Sequence, residues 1–168
     1  EAEENDFEKQ KLEAPHHAKV EQVLKALSDA PVVIVDVPVE SRDYNGEVAH
    51  VWEYDREFGG FPLSFSTRTS FAPNCDEQYF LRVRNSDAFS GFRVPEAAAK
   101  QIEALRVSDV LGEHLVARVY ATQPKSGLRP IAGLPIAQRD LDVKASKVEI
   151  VLDGRVLTEA VHRPDWTD

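Results

Sequence analysis

Apolar positions recur at helical spacing early in the chain, at Val20, Val23, Leu24 and Leu27, and make one stripe of a helix predicted over residues 15–28. Pro15 suits the first turn of that helix, and Ser28-Asp29-Ala30-Pro31 ends it, because the residue before a proline is driven out of the α region. The pattern then changes to period two. Val33, Val35, Val37 and Val39 fall on one face of a strand over 32–39, while Val32, Ile34, Asp36 and Glu40 fall on the other. Pro38 offers no ladder donor, so this strand is expected at an edge or leaving the sheet there.

Further alternation predicts strands over 47–54, 63–71, 79–85, 114–122, 141–152 and 155–161. In the run 47–54 His50, Trp52 and Tyr54 share one face, and in 79–85 Arg82 points outward. The inward set of 141–152 changes phase near Ser146, which predicts a bulge, and Asp153-Gly154 predicts a tight turn. A second helix starts near Pro95, with Ala98, Ile102 and Leu105 as its apolar side. Residues 123–139 hold Pro124, Pro130, Pro135, Gly127 and Gly133, and read as a long loop. The sum is an α+β fold: a mainly antiparallel sheet or small, partly open barrel of six or seven strands with two or three packed helices. One domain over 15–161 is expected, between an acidic tail or frayed helix at 1–14 and a loose tail at 162–168.

Composition narrows the partners. The 168 residues carry a net charge of −9, which opposes nucleic acid and anionic membrane surfaces without a strong basic patch. No apolar run reaches the length of a membrane span. Cys75 is the only cysteine, so no intrachain disulfide forms, and the start at Glu1 without a methionine suggests a removed signal peptide or a trimmed cytoplasmic chain. A periplasmic or secreted location is the expectation.

No phosphate-binding glycine loop, serine nucleophile elbow, paired-cysteine metal site or helical His-Glu-x-x-His is present. His16-His17 are adjacent and point about 100° apart on a helix, so they do not share an ion easily. The acids Asp76 and Glu77 beside Cys75 disfavour a thiolate. Asp36, Glu40, Asp43, Asp55 and Glu57 are of the type that binds hard cations, but match no EF-hand spacing and have Arg42 and Arg56 among them. The segment 58–63, with its aromatics around Gly59-Gly60, either caps the core or forms a sticky edge. No catalytic residue, metal or cofactor is assigned.

The 123–139 segment is basic on an acidic protein, through Lys125, Arg129 and Arg139, with Leu128, Ile131, Leu134 and Ile136 as apolar anchors. It leads to the first expectation: a non-catalytic, exported accessory domain that binds a protein or envelope component through Lys125, Leu128, Arg129, Ile131, Leu134 and Ile136. The alternative is a small-molecule-binding domain, or a hydrolase of atypical kind, with a pocket on the sheet face at His50, Trp52, Tyr54 and Arg82. A purely oligomerising domain is the third reading, and the oligomeric state is left open.

Overall fold

The structure, a computed structural model, describes residues 18–19, 21–22, 25–26, 29, 32–42, 49–66, 69–71, 79–130 and 137–163. The strands are β1 (Val32–Glu40), β2 (Ala49–Val51), β3 (Phe61–Phe65), β4 (Thr69–Phe71), β5 (Tyr79–Val83), β6 (Gly91–Phe92), β7 (Leu115–Pro130), β8 (Ala137–Leu152) and β9 (Arg155–Glu159). They form one nine-stranded sheet in the order β4-β5-β8-β7-β1-β2-β3-β6, with β9 pairing β8 off that path. Pairing is mixed: β1 runs parallel to β2 and β5 parallel to β8, while the other ladders are antiparallel. An α-helix, α1 (Glu96–Val107), packs on the sheet through Ala99 and Ile102.

This corrects the expected fold class. Among the described residues, a mixed nine-stranded sheet with one packed helix replaces the mainly antiparallel sheet or partly open barrel with two or three packed helices. Alternation along a strand fixes which face is buried but says nothing about which neighbour it takes or in which direction, so the parallel pairs were invisible. Strand number rose because 63–71 is broken into β3 and β4 and because Gly91–Phe92 adds a short strand. The early helix is helical at Ala18, Lys19, Glu21, Gln22, Lys25, Ala26 and Asp29, all exposed; its predicted stripe of Val20, Val23, Leu24 and Leu27 lies outside the described residues. A single bridge between Gly91 and Val161 ties the segment after β9 to β6, at the far end of the sheet order. One bridge is not a ladder, and the barrel reading is not restored by it.

The face assignments of β1 hold: Val33, Val35, Val37 and Val39 are buried, and Val32, Ile34 and Asp36 are exposed. Their buried neighbours across the sheet are Ala117, Val119 and Ala121 of β7 and Val148 and Ile150 of β8. Pro38 still pairs with Val116 of β7, and on its other edge β1 takes β2 only from Val39, so a missing donor costs no ladder bond there. The bulge falls where the phase change placed it. Tyr120 pairs with Lys147 and Ala121 with Ala145, so Ser146 is the extra residue, and its hydroxyl donates to the Tyr120 carbonyl at 3.1 Å. Asp153 (φ 48°) and Gly154 (φ 76°) make the two-residue turn into β9.

The segment read as a loop over 123–139 is mostly sheet. Lys125 pairs with Asp142 and the ladder runs to Pro130 with Ala137, leaving only 131–136 outside the described residues. Turn-forming residues outweighed the alternation in the sequence reading, whereas the long hairpin ladder supplies the missing backbone partners in the fold. On the outer face, Arg118 holds Asp36 through two bonds of 2.8 and 3.0 Å. Tyr120 and Lys147 both donate to Glu149, at 2.8 and 2.7 Å. Those two bonds, Lys147 first, hold the Glu149 carboxyl below its ordinary range. A depressed carboxylate adds stability that is present above its ordinary range and is lost as pH falls through the folded value. Thermal melts of wild type and Glu149→Gln should therefore differ at pH 7, with wild type higher, and converge as the pH falls through the folded-state value. A difference independent of pH would sink that assignment.

Candidate functional site

Period-two geometry builds the site. Ala49 and Val51 point into the core, fully buried, so His50 and its successors Trp52 and Tyr54 turn to the opposite face. The backbone continues to follow β3, with His50 paired to Ser64 and the Trp52 N–H donating to the Pro62 carbonyl at 3.1 Å. The three side chains line an open cleft of about 590 Å³. That volume lies within the range of small-molecule sites, roughly 300–1,000 Å³.

Each aromatic ring is fixed from one side. His50, itself only 9% exposed, meets Trp52 edge to face at a centroid distance of 4.4 Å. Tyr54 meets the buried ring of Phe61 edge to face at 5.2 Å. Trp52 nevertheless stays 46% exposed and Tyr54 37%. Such ring contacts are favourable beyond the area they bury, and they limit the freedom a ligand would otherwise have to remove.

The rest of the lining arrives from distant parts of the chain. Arg106 of α1 bonds Glu103 through both Nε and Nη2 at 3.0 Å and lies 3.6 Å from Glu53. Glu103 also accepts the Tyr54 N–H at 2.9 Å, which couples α1 to the aromatic segment. Arg163 forms an ion pair with Asp55, and its guanidinium lies over the Phe58 ring at 5.6 Å. The 55–60 turn is organised by Asp55, whose side chain accepts the Glu57 and Phe58 N–H groups at 2.8 and 3.0 Å. The Phe58 N–H leads the causes that keep the Asp55 carboxyl below its ordinary range, with Glu57 and Arg163 adding to it. At the rim, Ser41 donates to Asp109 at 3.2 Å. Next to it, burial and then the charges of Asp109 and Glu113 push the Glu40 carboxyl up, against a Gly112 N–H that favours the ionised form.

His50, Trp52 and Tyr54 are thus brought together as the alternation implied, but Arg82 is not among the residues lining their cleft. It sits on β5, 3.6 Å from Asp142 of the parallel neighbour β8. Lys125, Leu128 and Arg129 lie on β7 rather than on a loop; Ile131, Leu134 and Ile136 lie outside the described residues, as do His16, His17, Asp43 and Cys75. The 58–63 segment packs as core, with Phe58, Phe61 and Leu63 buried, and so forms no sticky edge. Asp36, Glu40 and Asp55 are dispersed to separate partners, and no group of three metal-ligating side chains occurs among the described residues. His162 and Arg163, expected in a loose tail, are fastened: His162 contacts the Asp87 carbonyl at 2.9 Å, and the Arg163 N–H donates to Ser90 at 2.7 Å. Sequence reasoning missed Arg106 and Arg163 because nothing local marks them; they reach the cleft only through the packing of α1 and of the segment after β9. No helix among the described residues is long and apolar enough to cross a membrane. No protein-family model, curated protein or solved structure matches this chain.

Proposed function

We propose that the protein is a small-molecule-binding domain whose site is the cleft beside Trp52. The observation that carries this reading is the pair of half-exposed aromatic rings, each held from behind by another ring, at the wall of a cleft of ligand size. Exposed aromatic surface set in a concave, polar-rimmed site favours a bound occupant over open solvent. A thermal-shift screen against sugars, nucleotides, organic acids and metals tests it. A ligand at about 100 times its dissociation constant stabilises by roughly 2.7 kcal/mol, which for this size is about 5–10 °C. The shift should vanish in Trp52→Ala. No shift for any compound class would overturn the reading.

A second reading keeps the exported accessory domain, periplasmic or secreted, that captures a protein or envelope component. It is favoured by the hairpin of β7 and β8, which stays paired for residues beyond Thr122, where β1 stops. Along Lys125–Pro130 no strand pairs with the outer edge of β7 among the described residues. An extended partner can add to such an edge, although Pro130 restricts where it can bond. An unresponsive ligand screen leaves this reading ahead.

A further inference from the structure

The arginines of the cleft are already answered by carboxylates within the protein. The cleft lining holds two acids, Glu53 and Asp55, and two arginines, Arg106 and Arg163. Arg163 is paired with Asp55, and Arg106 with Glu103 and, at longer range, with Glu53. The two guanidinium side chains are only 16% and 21% exposed, and Asp55 and Glu103 only 23% and 30%. An anionic ligand would draw Arg163 or Arg106 out of a half-buried pair and leave Asp55 or Glu103 short of its counter-charge, whereas Glu53, 85% exposed, can accept from a ligand hydroxyl without dividing either pair.

A hydroxyl group avoids that conflict. It accepts from a guanidinium N–H and donates to a carboxylate at the same time, so it can join an ion pair without dividing it. Several hydroxyls on one rigid ring would meet the pairs at Arg163 and Arg106 together. The C–H face of such a ring is apolar and matches the exposed aromatic surface of Trp52 and Tyr54. An aromatic hydrocarbon would also stack there, but would leave the surrounding donors and acceptors with neither water nor partner. We propose that the cleft takes a neutral polyhydroxylated ring, a pyranoside, stacked on Trp52 and hydrogen-bonded to the Arg163–Asp55 pair and to Arg106.

This deepens the ligand-binding reading and rests on it. The test is calorimetry and saturation-transfer NMR on the full chain with methyl glucoside, methyl galactoside and methyl mannoside, beside glucuronate and benzoate. At the efficiency ordinary for drug-sized ligands, one sugar ring should bind with a dissociation constant on the order of millimolar. At least one neutral glycoside should bind, more tightly than glucuronate and benzoate. Trp52→Ala should weaken it by about tenfold or more, and Trp52→Phe by less, since the smaller ring keeps part of the platform. Melting curves of both variants show that they are folded. Glucuronate or benzoate binding best, with the same dependence on Trp52, would overturn the sugar assignment and leave the cleft as a ligand site. Glycoside binding indifferent to Trp52 would overturn the placement. Silence from these probes and from the wider thermal-shift panel would overturn both.

Discussion

Phe61→Ala should destabilise the protein by about 3–5 kcal/mol, the cost of removing a fully enclosed aromatic ring. Phe61 is 0% exposed, stacks on Phe92 at 5.4 Å and meets Tyr54 edge to face at 5.2 Å. No neighbour can close the gap cheaply, because Phe92, Leu63 and Ile102 around the same core are themselves fully or almost fully buried. For a chain of this size the melting temperature should fall by about 6–20 °C, read by calorimetry. Phe61→Leu should cost much less, since it fills most of the volume. The variant also tests the link from core to cleft. Where Phe61→Leu remains folded, any ligand of the cleft should bind more weakly, because Tyr54 has lost the ring that holds it. A loss under about 1 kcal/mol for Phe61→Ala would contradict the burial assigned to it.

Gly60→Ala should be nearly as damaging, for a steric reason. A methyl group at Gly60 would lie 2.1 Å from the Phe92 carbonyl oxygen and 2.9 Å from its carbon. Both are backbone atoms, so no side-chain rotation relieves the clash; either the 55–60 turn or β6 must move. The ladder that would have to yield is short, with only Phe61 to Phe92 and Pro62 to Gly91 paired. Overpacking ordinarily costs about 1–3 kcal/mol, and a backbone obstacle places this case at the upper end, or about 6–12 °C in melting temperature. Gly59 supplies the control. It has φ +70° but open space around its would-be methyl group, so Gly59→Ala meets only left-handed strain of about 1–2 kcal/mol. Equal losses at the two glycines would refute the steric account.

Both predictions concern residues whose type was plain in the sequence and whose consequence was not. Phe58, Gly59, Gly60 and Phe61 were legible as a turn with aromatics, poised between core and contact surface. The Arg93 guanidinium at 4.7 Å over the Phe58 ring, and its 2.8 Å bond to the Phe58 carbonyl, help to commit that turn to the interior. The shared face of His50, Trp52 and Tyr54 was legible too, because alternation along an extended chain is a local rule. Their concave setting was not, since α1 and the segment at Arg163 complete it from 50 or more residues away.

The sequence by itself determined the buried face of β1, the helix at Glu96–Val107, the Asp153-Gly154 turn and the bulge at Ser146. Each follows from residues within a few positions of one another, where backbone periodicity and turn sterics act. Tertiary structure alone decided that β5 runs parallel to β8, that residues 125–130 pair with 137–142, and that Arg82 faces Asp142 while Arg106 and Arg163 join Trp52 in lining the cleft. Those outcomes depend on which apolar faces close on one another and which distant backbone groups remain to be paired, and no local pattern carries that information.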